Sequence, residues 1–230
     1  MEEFLNKRKS RLVAVSLLII LSVVVIFAGS RLYSQYREQV IRTEESQLLT
    51  MAGIVGNNLN SYMEQQLEEI DLFYSREGIP ENVWAEPGGI NARTAYFLKE
   101  NAGVYNWITV TEPDGTKFRY EPGKKTFRES ADGEVKAVDS QDGNHPAEIT
   151  GKEISDQTGW YELYIEKNVP VGSEVYMLTF AMDLGALYEK IVAPVKIGEA
   201  GYSSVKDQNM NIIMHHVKNQ IGLEAVDGRI

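Results

Sequence analysis

Residues 160–185, WYELYIEKNVPVGSEVYMLTFAMDLG, hold two strands, the turn between them and the start of a helix. Tyr161, Leu163 and Ile165 alternate with Glu162, Tyr164 and Glu166, the period of two that marks a half-buried strand. Pro170 to Gly172 turns the chain, and Val175 to Met182 is almost wholly apolar, as expected of a central strand buried on both faces. Asp183-Leu184-Gly185 ends that strand and opens a short helix carrying Leu187, Tyr188 and Ile191, which Pro194 closes. Upstream, the β-branched and aromatic run Tyr105–Val110 and the alternating Lys117–Tyr120 flank the turn dipeptide Asp114-Gly115, so a hairpin is expected there. Asn91–Glu100 and Val83-Trp84 read as short helices. Residues 121–156 are polar and carry no sustained period, which reads as a long excursion covering one face of the sheet. The fold class is therefore α/β of the α+β kind, an antiparallel sheet with helices packed on it.

Towards the N-terminus, residues 12–29 (LVAVSLLIILSVVVIFAG) form a charge-free run interrupted only by Ser16 and Ser22. A bilayer span takes roughly 20 apolar residues, with about 17 sufficient. Lys7, Arg8, Lys9 and Arg11 abut the run, so the expected topology is a cytoplasmic tail (1–11), an anchor (12–29) and an extracytoplasmic remainder. A cleaved secretory signal is the other reading, with Ala28 and Ser30 as a weak small-residue site. Residues 31–76 lack proline and read as one long helix. Leu48, Ala52, Val55, Leu59 and Tyr62 form a heptad seam continued by Gln66, Ile70 and Phe73, which suits either a homodimer or packing on the helix's own domain. Gly53 and Gly56 suggest close approach of a second backbone, and Arg76–Pro80 supplies the stop, with Gly78 at the C-cap.

Composition narrows the function classes. The chain carries net −10 and the basic residues of the tail make the remainder more acidic still, with no Lys/Arg cluster to receive nucleic acid or anionic lipid. It contains no cysteine, which removes disulfides, thiol nucleophiles and thiolate metal sites together. At 43% apolar and 10% aromatic residues it has the material of a packed core.

Beyond Ile197 a second strand–turn–strand unit begins, with Gly198, Gly201, Tyr202, Asp207, Ile213 and His215, then Gln220-Ile221-Gly222, and with Asn209 in the tight turn. A hairpin alone is marginal, so the sequence reads as stopping inside a second module. This pattern resembles the double Cache sensor domains, PAS-like ectodomains of bacterial receptors. The resemblance spans residues 31–230 and is strongest from Trp160 onward. It departs from the family at Gln208-Asn209, where a glycine usually follows the turn aspartate, and at His216, where proline is usual. It implies a long helix (30–77), a membrane-distal PAS-like module (78–197) and the start of a membrane-proximal one (198–230).

Motifs for catalysis are missing: no nucleophile elbow, no phosphate-cradling glycine loop, and acidic pairs such as Glu68-Glu69 that suit a solvated helix face. Of the three histidines, His215 and His216 are adjacent and would point to opposite faces of a strand, so no metal or cofactor site is expected. A small-molecule pocket is the better prospect. Trp107, Arg119, Tyr120, Tyr161, Tyr164 and Tyr176 fall on the strands of the first module, and Asp183 sits where the apolar strand exits. The resemblance places Asp183 where amine-binding members carry a carboxylate, while Gln157 stands where the amino-acid-binding variant has an arginine three residues before a Trp-Tyr pair. Aromatics at strand spacing are equally core residues, and Asp183 is equally an N-cap. The implied function is the ligand-sensing input of a transmembrane receptor, a histidine kinase first, with a diguanylate cyclase or chemoreceptor as alternatives. An anchored protein-binding adaptor is the reading from another class.

Overall fold

The computed structural model describes residues 2–75, 89–124, 127–129, 145–196 and 201–225, and the side chains of these except 2–15 and 127–129. Two compact units, residues 1–53 and 54–230, partition the chain.

The first unit is helical. Helix α1 (Glu2–Tyr74) contains the apolar run. From Leu17 to Phe27 its large apolar side chains are 57–71% exposed, and the helix is long and apolar enough to cross a membrane. The Ser22 hydroxyl donates to the Leu18 carbonyl at 2.9 Å, so this polar interruption is satisfied within the helix itself.

In the second unit, helix α2 (Gly89–Glu100) is followed by six antiparallel strands: β1 (Tyr105–Thr111), β2 (Lys117–Tyr120), β3 (Phe127–Glu129), β4 (Glu148–Ile154), β5 (Tyr161–Val171) and β6 (Glu174–Asp183). Their order is β3-β2-β1-β6-β5-β4. The apolar β6 is interior, as its composition predicts. The β5–β6 hairpin turns at Gly172, whose φ of 64° at the first loop position suits a two-residue turn matched to strand twist. Pro170 is tolerated in β5 because β4 pairs only as far as Glu166, beyond which no ladder bond is required of it. Residues 121–156 differ from the expected excursion. They contain β3 and β4, which extend the sheet at its two edges instead of covering a face; their short, polar sequences mask the strand period.

One sheet face carries Ile108, Val110, Tyr120, Ile165, Val169, Leu178 and Phe180. It is buried against Ile70 and Tyr74 of α1 and Ile90, Phe97 and Leu98 of α2. The seam of α1 is thus spent on its own unit from Val55 onward, with Gln66 accepting from the Tyr105 hydroxyl at 3.1 Å and Ile70 fully buried. Helix α1 stops at Tyr74, where Arg93 of α2 bonds the Phe73 carbonyl; Arg76–Pro80 and Val83-Trp84 lie outside the described residues. A second core joins Val55, Trp160, Met214 and Ile221 to helix α3 (Leu184–Leu187) and the π-helical turn Tyr188–Val192. Trp160 lies so close to Gly185 that a Cβ there would sit 2.6 Å from the indole.

The last hairpin, β7 (Val205–Lys206) and β8 (Ile212–Met214), packs in the same unit. Met210, not Asn209, takes the positive φ (64°). Asp207 Oδ1 accepts from the amides of Asn209 and Asn211, both at 2.9 Å, and this closure pushes the left-handed position one residue on. His215 and His216 do not face apart. They follow β8, their ring centroids are 4.6 Å apart, and both rest on Tyr202.

Candidate functional site

The sheet face opposite the helices carries the polar cluster. Its origin is a bulge in β1. Tyr105 pairs with Met182 and Trp107 with Ala181, so Asn106 is an extra residue. Without the bulge Tyr105 and Trp107 would share a face. With it, Tyr105 enters the core while Asn106 and Trp107 both reach the outer face, the re-aiming that bulges provide.

Both converge on Glu162 of β5. Its Oε1 accepts from Asn106 Nδ2 at 2.8 Å and its Oε2 from the Trp107 indole at 3.1 Å, and the residue is only 6% exposed. The Arg119 guanidinium lies 4.2 Å over the Trp107 ring, with its Nε 3.1 Å from Glu121 Oε1. Glu121 is held below the usual carboxylate range, first by Lys124 and then by Arg119, against the opposing effect of burial. On the other side of Trp107 lies Tyr164, ring centroids 5.7 Å apart, with its hydroxyl donating to Glu153 Oε2 of β4 at 3.1 Å. Burial, then Glu153, pushes the Tyr164 phenol up to about 12. Gly151 sits under this ring, 3.8 Å from the tyrosine if a Cβ is placed on it. Glu153, Glu162 and Asp183 are register partners across β4, β5 and β6, three acids in one row. A surface of indole and phenol rings beside a buried carboxylate and a stacked guanidinium can hold a small molecule by its π-faces and charge together.

The structure divides the residues singled out from sequence. Trp107, Arg119 and Tyr164 come together. Tyr120 faces the core, donating to Asn91 Oδ1 at 2.7 Å, and its phenol is pushed up to about 12 chiefly by burial. Tyr176 is on the same core face and bonds Glu174, and Tyr161 packs into the second core beneath Lys152. These three cannot line the outer face, because strand alternation turns them away from it. Asp183 is the N-cap of α3: its Oδ1 accepts from Gly185 N at 2.8 Å. It lines a separate cavity of about 190 Å³ with Tyr62, Gly103 and Lys190. Glu162 and Asn106 were missed in the sequence, Glu162 because it stands in the polar phase of a strand assumed open to water on that face.

No protein-family model and no curated protein sequence matches the chain. Solved structures do match. A domain of a sensory box/GGDEF family protein from Vibrio parahaemolyticus superposes with a TM-score of 0.57 at 14% identity, over 78% of this chain and 74% of that one. The extracellular domain of a histidine kinase gives 0.55 at 13% identity, over 78% and 71%. The ligand-binding domain of a Campylobacter jejuni chemoreceptor, solved with 4-methylisoleucine, gives 0.52 at 13% identity, over 80% and 75%. The chain shares the fold of these solved domains. Within this fold the helices occupy one face of the sheet, and the cluster around Glu162 occupies the other.

Proposed function

We propose that this chain is the extracytoplasmic sensing input of a membrane-bound receptor, anchored by residues 12–29 with its N-terminus in the cytoplasm, and that the outer face of its sheet binds a small polar molecule. The observation that carries the reading is Glu162, a buried carboxylate that accepts from the neutral Asn106 amide and Trp107 indole, beside the Arg119-covered Trp107 and Tyr164. A buried charge met by neutral donors is costly, and a ligand bearing a positive group would relieve it. Trp107 and Tyr164 then supply the aromatic surface for the rest of the molecule. Asp183 is already satisfied as a cap and lines a separate cavity, so Glu162 takes its place as the counter-charge. The chain functions as a homodimer through the upper part of α1. A histidine kinase is the output we infer, and a diguanylate cyclase or chemotaxis module is distinguished from it by the reading frame beyond Ile230.

The test is a thermal-shift panel of amines, amino acids and small carboxylates on the detergent-solubilised chain. At least one compound with a positive group is expected to raise the unfolding midpoint of the wild type. Glu162→Gln, which keeps the shape and one acceptor, and Trp107→Ala are expected to abolish that shift. A shift that survives both substitutions, or no shift from any compound, sinks the reading.

A further inference from the structure

Strand β4 has two clients, separated by its own alternation. A bulge at Thr150 sets the phase: Ile149 pairs with Ile165 and Gly151 with Tyr164. Gly151 and Glu153 therefore share the outer face with the Glu162 cluster, beneath the Tyr164 ring and bonded to its hydroxyl. Lys152 and Ile154 face the opposite way, towards residues 201–225. The Lys152 ammonium meets Asp207 Oδ2 at 2.5 Å, and both side chains are largely covered, 32% and 12% exposed. Ile154 Cδ1 lies 2.9 Å from where a Cβ of Gly222 would be, so the Ile154 side chain rests against the Gly222 backbone. At the adjoining β4–β5 turn, Lys218 Nζ donates to the Thr158 carbonyl at 3.0 Å.

Asp207 also organises its own turn. It accepts from the amides of Asn209 and Asn211 and, through Oδ2, from Asn211 Nδ2 at 3.1 Å. The oxygen that Lys152 holds is thus shared with the β7–β8 turn. Lys152, with the turn amides, keeps the Asp207 carboxyl well below the usual carboxylate range. β4 is an edge strand, paired on one side only with β5, so it can shift without breaking a second ladder.

We propose that β4 is a coupling strap, which carries a displacement at Tyr164 and Glu153 on one face of the sheet to the β7–β8 turn through Lys152 and Asp207. The outer-face cluster and the hairpin are then two sites joined by one element that both contact, a contiguous path along which coupling can travel. The proposed ligand reading gives this coupling its use, but the coupling stands on contacts alone and is tested without ligand, so either can fail without the other.

The experiment is amide hydrogen exchange by mass spectrometry on the full chain in nanodiscs, comparing wild type, Tyr164→Phe, Lys152→Met and the double variant. Tyr164→Phe deletes one hydroxyl that bonds Glu153 and does not touch the hairpin. It is expected to change exchange of the peptide covering Asp207–Ile212 by about threefold or more, with the helix α1 peptide covering Gln66–Tyr74 unaffected. In the Lys152→Met background the same substitution is expected to change it by less than about 1.5-fold. Three results overturn the strap: no hairpin response to Tyr164→Phe, an equal response without Lys152, or an equal loosening of the α1 peptide.

Discussion

At the scale of single residues, Asp183 and Glu162 divide the work that one acid was expected to do. Asp183 caps α3, and its carboxyl is pushed upward, first by burial and further by Glu162, against the pull of the Gly185 and Ala186 amides and Lys218. A carboxyl whose native pKa exceeds its unfolded one holds its proton more tightly when folded. Its contribution to stability is complete below the unfolded pKa, about 3.9, and is lost as pH rises through the native pKa. Asp183→Asn keeps an oxygen for Gly185 N and removes this ionisation cost. Its urea midpoint is expected to match or exceed wild type at pH 7, and to fall back relative to wild type as the pH is lowered to about 3. Asp183→Ala loses the cap, about 1 kcal/mol, and also the ionisation cost, so its deficit against wild type is expected to be larger at pH 3 than at pH 7. An asparagine variant as weak as the alanine one at pH 7 would mean that the charge itself is used there. The acid at the strand exit was legible from Met182-Asp183-Leu184 alone. Glu162 was not, since a strand's polar phase does not reveal that a bulge elsewhere will bring Asn106 and Trp107 over it.

At the scale of elements, α1 is fastened to the sheet by a buried ion pair as well as by its apolar stripe. Lys167 of β5 is 5% exposed, and its ammonium lies 2.8 Å from Asp71 Oδ1 and 2.7 Å from the His145 carbonyl. Asp71 Oδ1 also accepts from Ala147 N at 2.8 Å, which ties the entry to β4 to the same helix. Removing one partner of a buried pair leaves the other charge uncompensated, so Asp71→Ala is expected to cost about 3 kcal/mol in urea denaturation. Lys167→Met keeps a long stem on the core face and is expected to cost about 1 kcal/mol. The double variant is expected to be more stable than Asp71→Ala alone, which a double-mutant cycle reads directly. Additive losses would show that the pair contributes no coupling. Strands β5 and β6 and the β1–β2 hairpin could be read from period and turn residues, because each lies within a short window. The edge strands β3 and β4 could not. Glu148–Ile154 is exposed at six of seven positions, so no apolar phase marks it, and only pairing with β5 makes it a strand.

At the scale of the whole molecule, the heptad seam of α1 has two fates. From Val55 to Ile70 it is consumed by the chain's own sheet and helices, whereas Leu48 is 39% exposed. The proposed dimer therefore has only the upper seam available. The chain has no native cysteine, so single substitutions report cleanly. Leu48→Cys is expected to cross-link in oxidised membranes, and Thr50→Cys, on the far side of the heptad, is not. Equal cross-linking at both positions, or at neither, argues against a seam there. What the sequence determined by itself is what local physics decides: an 18-residue apolar run that only lipid or a core can solvate, a proline-free helix after it, strands marked by period two, and turns marked by Asp114-Gly115 and by Pro170 to Gly172. The tertiary structure alone decided which face each residue serves. A one-residue bulge inverts the phase of every side chain beyond it, at a cost too small to leave a mark in composition. The site around Glu162 and the strap at Lys152 both depend on such a bulge, one at Asn106 and one at Thr150.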